Sequence, residues 1–205
     1  MRADRFATPR LRDRWLVSRA GLRDILGTYC HTPPGSVQFV TEQNGKPVLA
    51  GEDSGAGWHF NLSHSDAIAA VAVTKGGPVG VDVEYLRPIA DWRSVAHRFF
   101  SESENAQLST VGVNQRELAF YCCWTRKEAV IKATGEGLSA ELDSFDVSLE
   151  PGQPAAVLRD RSDYRRSGPW QLRHFEGEDF VGAIAIQSAD SVKVANRGLW
   201  SIHHE

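Results

Sequence analysis

Two stretches of the chain repeat one pattern. "WHFNLSHSDAIAAVAV" (58–73) and "WQLRHFEGEDFVGAIAI" (170–186) each run from a Trp through a polar strand and a turn into an apolar strand. Each is preceded by a helical stretch and by further strand pattern. In the first, "RWLVSRAGLRDILGTY" (14–29) sets Trp15, Leu16, Leu22, Ile25 and Leu26 at helical spacing, with Gly27 near the stop. "VQFVTEQNGKPVLAG" (37–51) then reads as two short strands around Asn44-Gly45. In the second, the long helix is "NQRELAFYCCWTRKEAVIKATGEG" (114–137), ending at Gly135 and followed by the strand "SFDVSL". Two copies of one α/β unit about a pseudo-twofold axis produce this pattern. So does an α+β chain that merely alternates its elements.

Between the repeats, "AIAAVAVT" is apolar on both faces and is expected to be buried. "PIADWRSVAHRFF" reads as a helix. "SESENAQL" opens another, with Ser101 and Glu104 in capping-box spacing. From Asp190 to Glu205 the chain is polar, as a loosely attached tail would be.

With 205 residues and a net charge of −3, the chain can bury a core and does not favour phosphate-backbone or membrane-surface binding. No nucleic acid or membrane partner is expected. A basic arm (Arg2, Arg5, Arg10, Arg12, Arg14, Arg19, Arg23) is the exception; it suits a polyanionic ligand or a solvated terminus. There is no signal-peptide core, and three cysteines in no framework spacing fit a reducing cytoplasm.

The chemistry begins with "VGVDVE" (79–84). In a strand, Asp82 and Glu84 share one face and repel each other. The pair is either a solvated edge or a set of oxygen ligands for a hard cation. On the long helix, Trp124, Glu128 and Lys132 recur every four residues and line one face. Glu128 and Lys132 form either a surface ion pair or part of a site. Together with Asp82 and Glu84, Glu128 makes three carboxylates, a set suited to Mg²⁺, and Lys132 would neutralise a phosphate there. No phosphate-loop, GxGxxG or GxSxG motif occurs.

In order and spacing, "GKP", "FNLSHS", "GVDVE", "RFFSESE" and "WTRKEAVIKATGEGLS" resemble the 4′-phosphopantetheinyl transferase superfamily in its stand-alone, two-halved form, over about residues 12 to 149. The resemblance implies an α+β fold of two similar α/β halves, residues 1–77 and 78–205. Each would be a long helix on a small, mostly antiparallel sheet, the halves related by a pseudo-twofold axis. It implies a Mg²⁺-dependent enzyme (Mn²⁺ as alternative) that transfers the phosphopantetheine arm of coenzyme A to a serine of an apo acyl or peptidyl carrier protein. Asp82, Glu84 and Glu128 would hold the metal, and Glu128, directly or through a metal-bound water, would serve as base. Lys132 would meet the pyrophosphate and Lys127 would also contact coenzyme A. Lys46, Ser63 and His64 would grip the nucleotide end. The family form often starts with an extra strand and a longer basic segment; this chain reaches its first helix almost at once, so Arg12 and Arg23 are assigned to the 3′-phosphate by position and charge. A monomer is expected. The residues alone also suit a Mg²⁺-dependent phosphodiester hydrolase, or a carrier-binding module without activity.

Overall fold

Thr8 accepts a hydrogen bond from the Leu11 backbone and Pro9 occupies the first helical turn, so helix α1 spans Pro9–Cys30, starting earlier than hydrophobic spacing alone indicates. A computed structural model describes residues 8–51, 56–135, 137, 141–160, 169–188 and 193–198. Most of the expected C-terminal tail lies outside the described residues.

After α1 come β1 (Phe39–Thr41) and β2 (Pro47–Leu49), an antiparallel pair turning at Gly45, whose φ of 87° needs a glycine. Next is the hairpin β3 (His59–Ser65) and β4 (Ile68–Thr74). Strand β5 (Val79–Tyr85) follows, then α2 (Trp92–Phe99), α3 (Glu102–Thr110) and α4 (Arg116–Thr134). The antiparallel pair β6 (Phe145–Val147) and β7 (Val157–Asp160) precedes the hairpin β8 (Trp170–Glu176) and β9 (Phe180–Gln187). The order helix, strand pair, hairpin thus occurs twice: α1-β1-β2-β3-β4 and α4-β6-β7-β8-β9. The protein is α+β, with helices on small antiparallel sheets, and both expected hairpins are present.

The capping box of α3 is formed in both directions, and Gly135 ends α4 in the left-handed conformation, as expected. Strand β7 has no buried alternation, since Leu158, Arg159 and Asp160 are all exposed, and so it left no pattern to read. Strand β4 departs from expectation. Only Ala72 is buried in it, because β4 pairs with β3 alone and its other edge is unpaired. The buried strand is instead β5, whose residues 79–83 are all buried although two of its positions carry carboxylates.

Besides a small cluster of Ala72, Val79 and Val81 between β4 and β5, two apolar clusters form the core of the described residues. Leu22, Leu26, Val37, Leu49 and Phe60 form one beneath α1. The larger surrounds α4, where Ala129, Val130, Ala133, Phe145, Leu172, Ala183 and Ala185 pack at 5% exposure or less. In that cluster α4 lies against the sheet β5-β9-β8. The contact is so close at Gly80 that a Cβ there would sit 2.0 Å from the Ala129 carbonyl oxygen. Gly80 therefore brings the carboxylates of β5 beside the helix that carries Glu128 and Lys132. Among the described residues, no helix is long and apolar enough to cross a membrane.

Candidate functional site

Alternation along β3 puts Asn61, Ser63 and Ser65 on one face and exposes His64 on the other. That polar face meets β5. The Asn61 side chain accepts a hydrogen bond from the Val81 backbone (2.9 Å), Ser63 donates to Asp82 (2.9 Å), and Ser65 donates to Glu84 (2.6 Å) while accepting from the Tyr85 backbone (3.1 Å). The partners advance together, so the strands run in the same direction, joined by side chains. This is how a buried strand tolerates two carboxylates: β3 supplies a hydroxyl donor to each.

Asp82 is only 3% exposed. Its Oδ1 accepts from Lys132 at 2.5 Å and from Ser63, and Lys132 also donates to Ser63 at 2.9 Å. Lys132 therefore forms its ion pair with Asp82 rather than with Glu128. Burial pushes the Asp82 carboxyl upward, and Lys132 and Ser63 pull it back. Glu84 is raised by burial and again by Asp82, while Ser65 opposes the shift. Glu128, half-buried on α4, is raised by burial and by the charges of Asp82 and Glu84, and lowered by Lys132. The charges of the three carboxyls thus act on one another across β5 and α4.

One atom of the cluster lacks what burial demands. Asp82 Oδ2 is buried with no hydrogen-bond partner. Among the described residues no three carboxylate, imidazole or thiol groups gather closely enough to hold a metal ion as they stand. An orphaned carboxylate oxygen beside two repelling carboxyls fits a hard cation held by few protein oxygens, with water and substrate completing its shell.

Other expected residues are placed differently. Lys127 is 1% exposed and all three of its protons have partners: Glu104 (2.8 Å) and the carbonyls of Leu142 (2.7 Å) and Phe145 (2.5 Å). No donor remains for coenzyme A, and Lys127 is a structural cation. Glu104, which also accepts from the Ser101 and Val147 backbones, is its anion. Lys46 likewise donates to the carbonyls of Lys132 (2.7 Å), Ala133 (3.0 Å) and Val79 (3.3 Å). It closes the C-terminus of α4 from the other half, so its ammonium is not available for a nucleotide phosphate. Arg23 donates to the carbonyls of Pro34 and Val37 and covers the Phe39 ring, tying α1 to the chain after it. Arg12 is exposed and bonds its neighbour Asp13 at 3.3 Å. Neither arginine is hydrogen-bonded to the carboxylate cluster.

Three contributors went unread in the sequence. Ser65 and Asn61 were signalled by period-two polarity with Ser63. Arg14, one of the basic arm, pairs with Asp66, a positive-φ residue (50°) in the turn just beyond Ser65.

Comparison with known proteins agrees in one direction. A family model described as the 4′-phosphopantetheinyl transferase superfamily matches residues 78–185. One described as 4′-phosphopantetheinyl transferase, N-terminal, matches residues 1–76. The 4′-phosphopantetheinyl transferase HetI of Nostoc sp. is 39% identical over 90% of this chain and 75% of its own length. The 4′-phosphopantetheinyl transferase Sfp of Bacillus subtilis is 33% identical over 72% of this chain and 63% of its own. Among solved structures, Thermotoga maritima holo-(acyl-carrier-protein) synthase aligns over 54% of this chain and 62% of its own, at 21% identity and a TM-score of 0.44.

Proposed function

The chain belongs to the 4′-phosphopantetheinyl transferase superfamily, and from that premise we propose that it moves the 4′-phosphopantetheine arm of coenzyme A onto a serine of an apo acyl or peptidyl carrier protein, releasing adenosine 3′,5′-bisphosphate. The observation that carries the reading is the coupled set Asp82, Glu84 and Glu128, with Asp82 Oδ2 buried and unpartnered beside Lys132. These three carboxylates would hold Mg²⁺, or Mn²⁺ in its place. Bound there, the ion would supply positive charge to neutralise the coenzyme A pyrophosphate.

The residues then divide the work. The carrier serine Oγ attacks the phosphorus that bears the pantetheine arm. The bond from that phosphorus to the nucleotide phosphate breaks, and its electron pair leaves with the bisphosphate. Glu128 takes the serine proton. Lys132 uses two donors on Asp82 and Ser63, and its side chain is 28% exposed. Its third N–H is left for charge growing on the leaving phosphate. Ser63 and the exposed His64 lie at the nucleotide end, with Arg12 and Arg23 toward the 3′-phosphate.

The chain divides after residue 77 into two halves, a division supported by the family-model matches to residues 1–76 and 78–185. The protein acts as a monomer, since the Ser63–Asp82 and Ser65–Glu84 bonds join both halves within one chain. Its place is the cytoplasm, in keeping with the buried thiols of Cys122 and Cys123.

The test is to incubate the protein with coenzyme A, Mg²⁺ and an apo carrier protein and to weigh the carrier. A gain of one phosphopantetheine arm, slowed in Glu128→Gln, is expected. Nucleotide breakdown without that gain would make the protein a hydrolase, and binding without either would make it a carrier-binding module.

A further inference from the structure

Each of the two β5 carboxylates meets a serine of β3, but the serines serve different ends. Ser63 is shared, bonded to both Asp82 and Lys132, so Asp82 has two donors that can hold it. Among the described residues, Glu84 accepts a hydrogen bond from Ser65 alone, at 2.6 Å, a length that marks a charge-assisted O–H···O⁻ bond. Ser65 is itself fixed. Its Oγ accepts from the Tyr85 backbone, which leaves its single proton for Glu84, and the turn that follows it is held by Arg14 on Asp66. A glutamate has three rotatable bonds, and beside the repelling Asp82 its carboxylate would otherwise be free to swing outward.

We infer that Ser65 is a positioning residue: it holds the Glu84 carboxylate toward Asp82 and Glu128, and so sets the affinity of the site for its divalent cation. This rests on the reading of Glu84 as a metal ligand. Carboxylates that bind metals are commonly oriented by such outer hydrogen bonds, and loss of one typically weakens metal binding about 10- to 100-fold. Ser65 also bonds the β5 backbone, so its role toward Glu84 must be separated from simple adhesion of the two strands. Asn61 provides the control. It makes an equivalent bond to the Val81 backbone at 2.9 Å and touches no carboxylate in doing so.

The experiment measures binding of Mn²⁺ alone by the loss of its free-ion EPR signal, in wild type, Ser65→Ala, Ser65→Thr, Asn61→Ala and Glu84→Gln, with thermal unfolding of each. Ser65→Ala should bind Mn²⁺ about 10- to 100-fold more weakly, Ser65→Thr should restore most of the affinity, and Asn61→Ala should stay near wild type. In turnover, the Mg²⁺ concentration at half-maximal rate should rise in the same ratio. If Ser65→Ala fails to fold, Ser65→Cys, close in size with only a weak donor, takes its place and should show the same loss. Equal weakening in Ser65→Ala and Asn61→Ala would reduce Ser65 to strand adhesion and overturn the proposal. Unchanged binding in Ser65→Ala with weakened binding in Glu84→Gln would overturn it while leaving the metal reading intact. Unchanged binding in Glu84→Gln would remove the metal reading, and the role of Ser65 with it.

Discussion

Replacing Lys132 by Met should destabilise the protein in a way that depends on pH, and the structure sets the size. Asp82 is 3% exposed, and Lys132 at 2.5 Å and Ser63 at 2.9 Å are its two side-chain donors. Removing one partner of a buried ion pair costs about 3–5 kcal/mol, because the remaining charge stays buried without compensation. A ceiling applies here, since the stranded carboxylate can take up a proton instead. For a carboxyl of ordinary pKa 3.8, protonation at pH 7 costs about 4 kcal/mol, at 1.36 kcal/mol for each pH step. Lys132 is 28% exposed, so water can reach part of the vacated space and lower the cost further. The expected loss is therefore about 2–3 kcal/mol at pH 7. The direction with pH follows from proton uptake. In the variant the folded Asp82 binds its proton more tightly than the unfolded one does, so stability falls as pH rises above the ordinary carboxylate range. The ceiling drops by about 3 kcal/mol between pH 7 and pH 5, and the deficit against wild type should shrink below about 1.5 kcal/mol at pH 5. Urea unfolding of both proteins at pH 5, 6, 7 and 8 in metal-free buffer measures it. A deficit under about 0.5 kcal/mol at pH 7, typical of an exposed pair, or one that grows on acidification, would refute the argument.

Gly80→Ala should separate β5 from α4, since the added Cβ would lie 2.0 Å from the Ala129 oxygen and 2.4 Å from the Ala133 nitrogen. Thermal unfolding should show a loss of at least about 1–3 kcal/mol, and turnover of the folded fraction should fall with it. Lys127→Met should cost about 3–5 kcal/mol by stranding Glu104, while coenzyme A affinity per folded molecule, measured by calorimetry, stays unchanged. Lys46→Met removes three bonds to backbone carbonyls and should lower stability in urea by about 1.5–3 kcal/mol. Glu128→Gln should depress turnover at every pH, with extra Mg²⁺ restoring it only in part, as steady-state rates over a pH and Mg²⁺ series would show.

What the sequence determined by itself is local in origin. Helix α3 announces its start through Ser101 and Glu104, α4 its end through Gly135, and the hairpins their strands through alternation, because caps, turns and periodicity act over a few residues. The spacing of Glu128 and Lys132, one helical turn apart, likewise fixes a shared face whatever else packs there. Which partner each charge takes is decided elsewhere. Lys127 and Lys132 are both lysines on α4, yet one is sealed against Glu104 and the other bridges Asp82 and Ser63. Five residues along a helix rotate a side chain well away from its neighbour's direction, and only the packing of α4 on β5 and α3 tells which side faces the core. Lys46 shows the same limit over a longer range. Its loop carries no sign that its ammonium ends on the carbonyls of Lys132 and Ala133, 86 and 87 residues away. Asp82 and Glu84 could be read as solvated or as ligands until the strand beside them was known. Tertiary structure settled their surroundings, Asp82 buried and Glu84 half-buried, because Gly80 admits α4 on one side and the serines of β3 supply donors on the other.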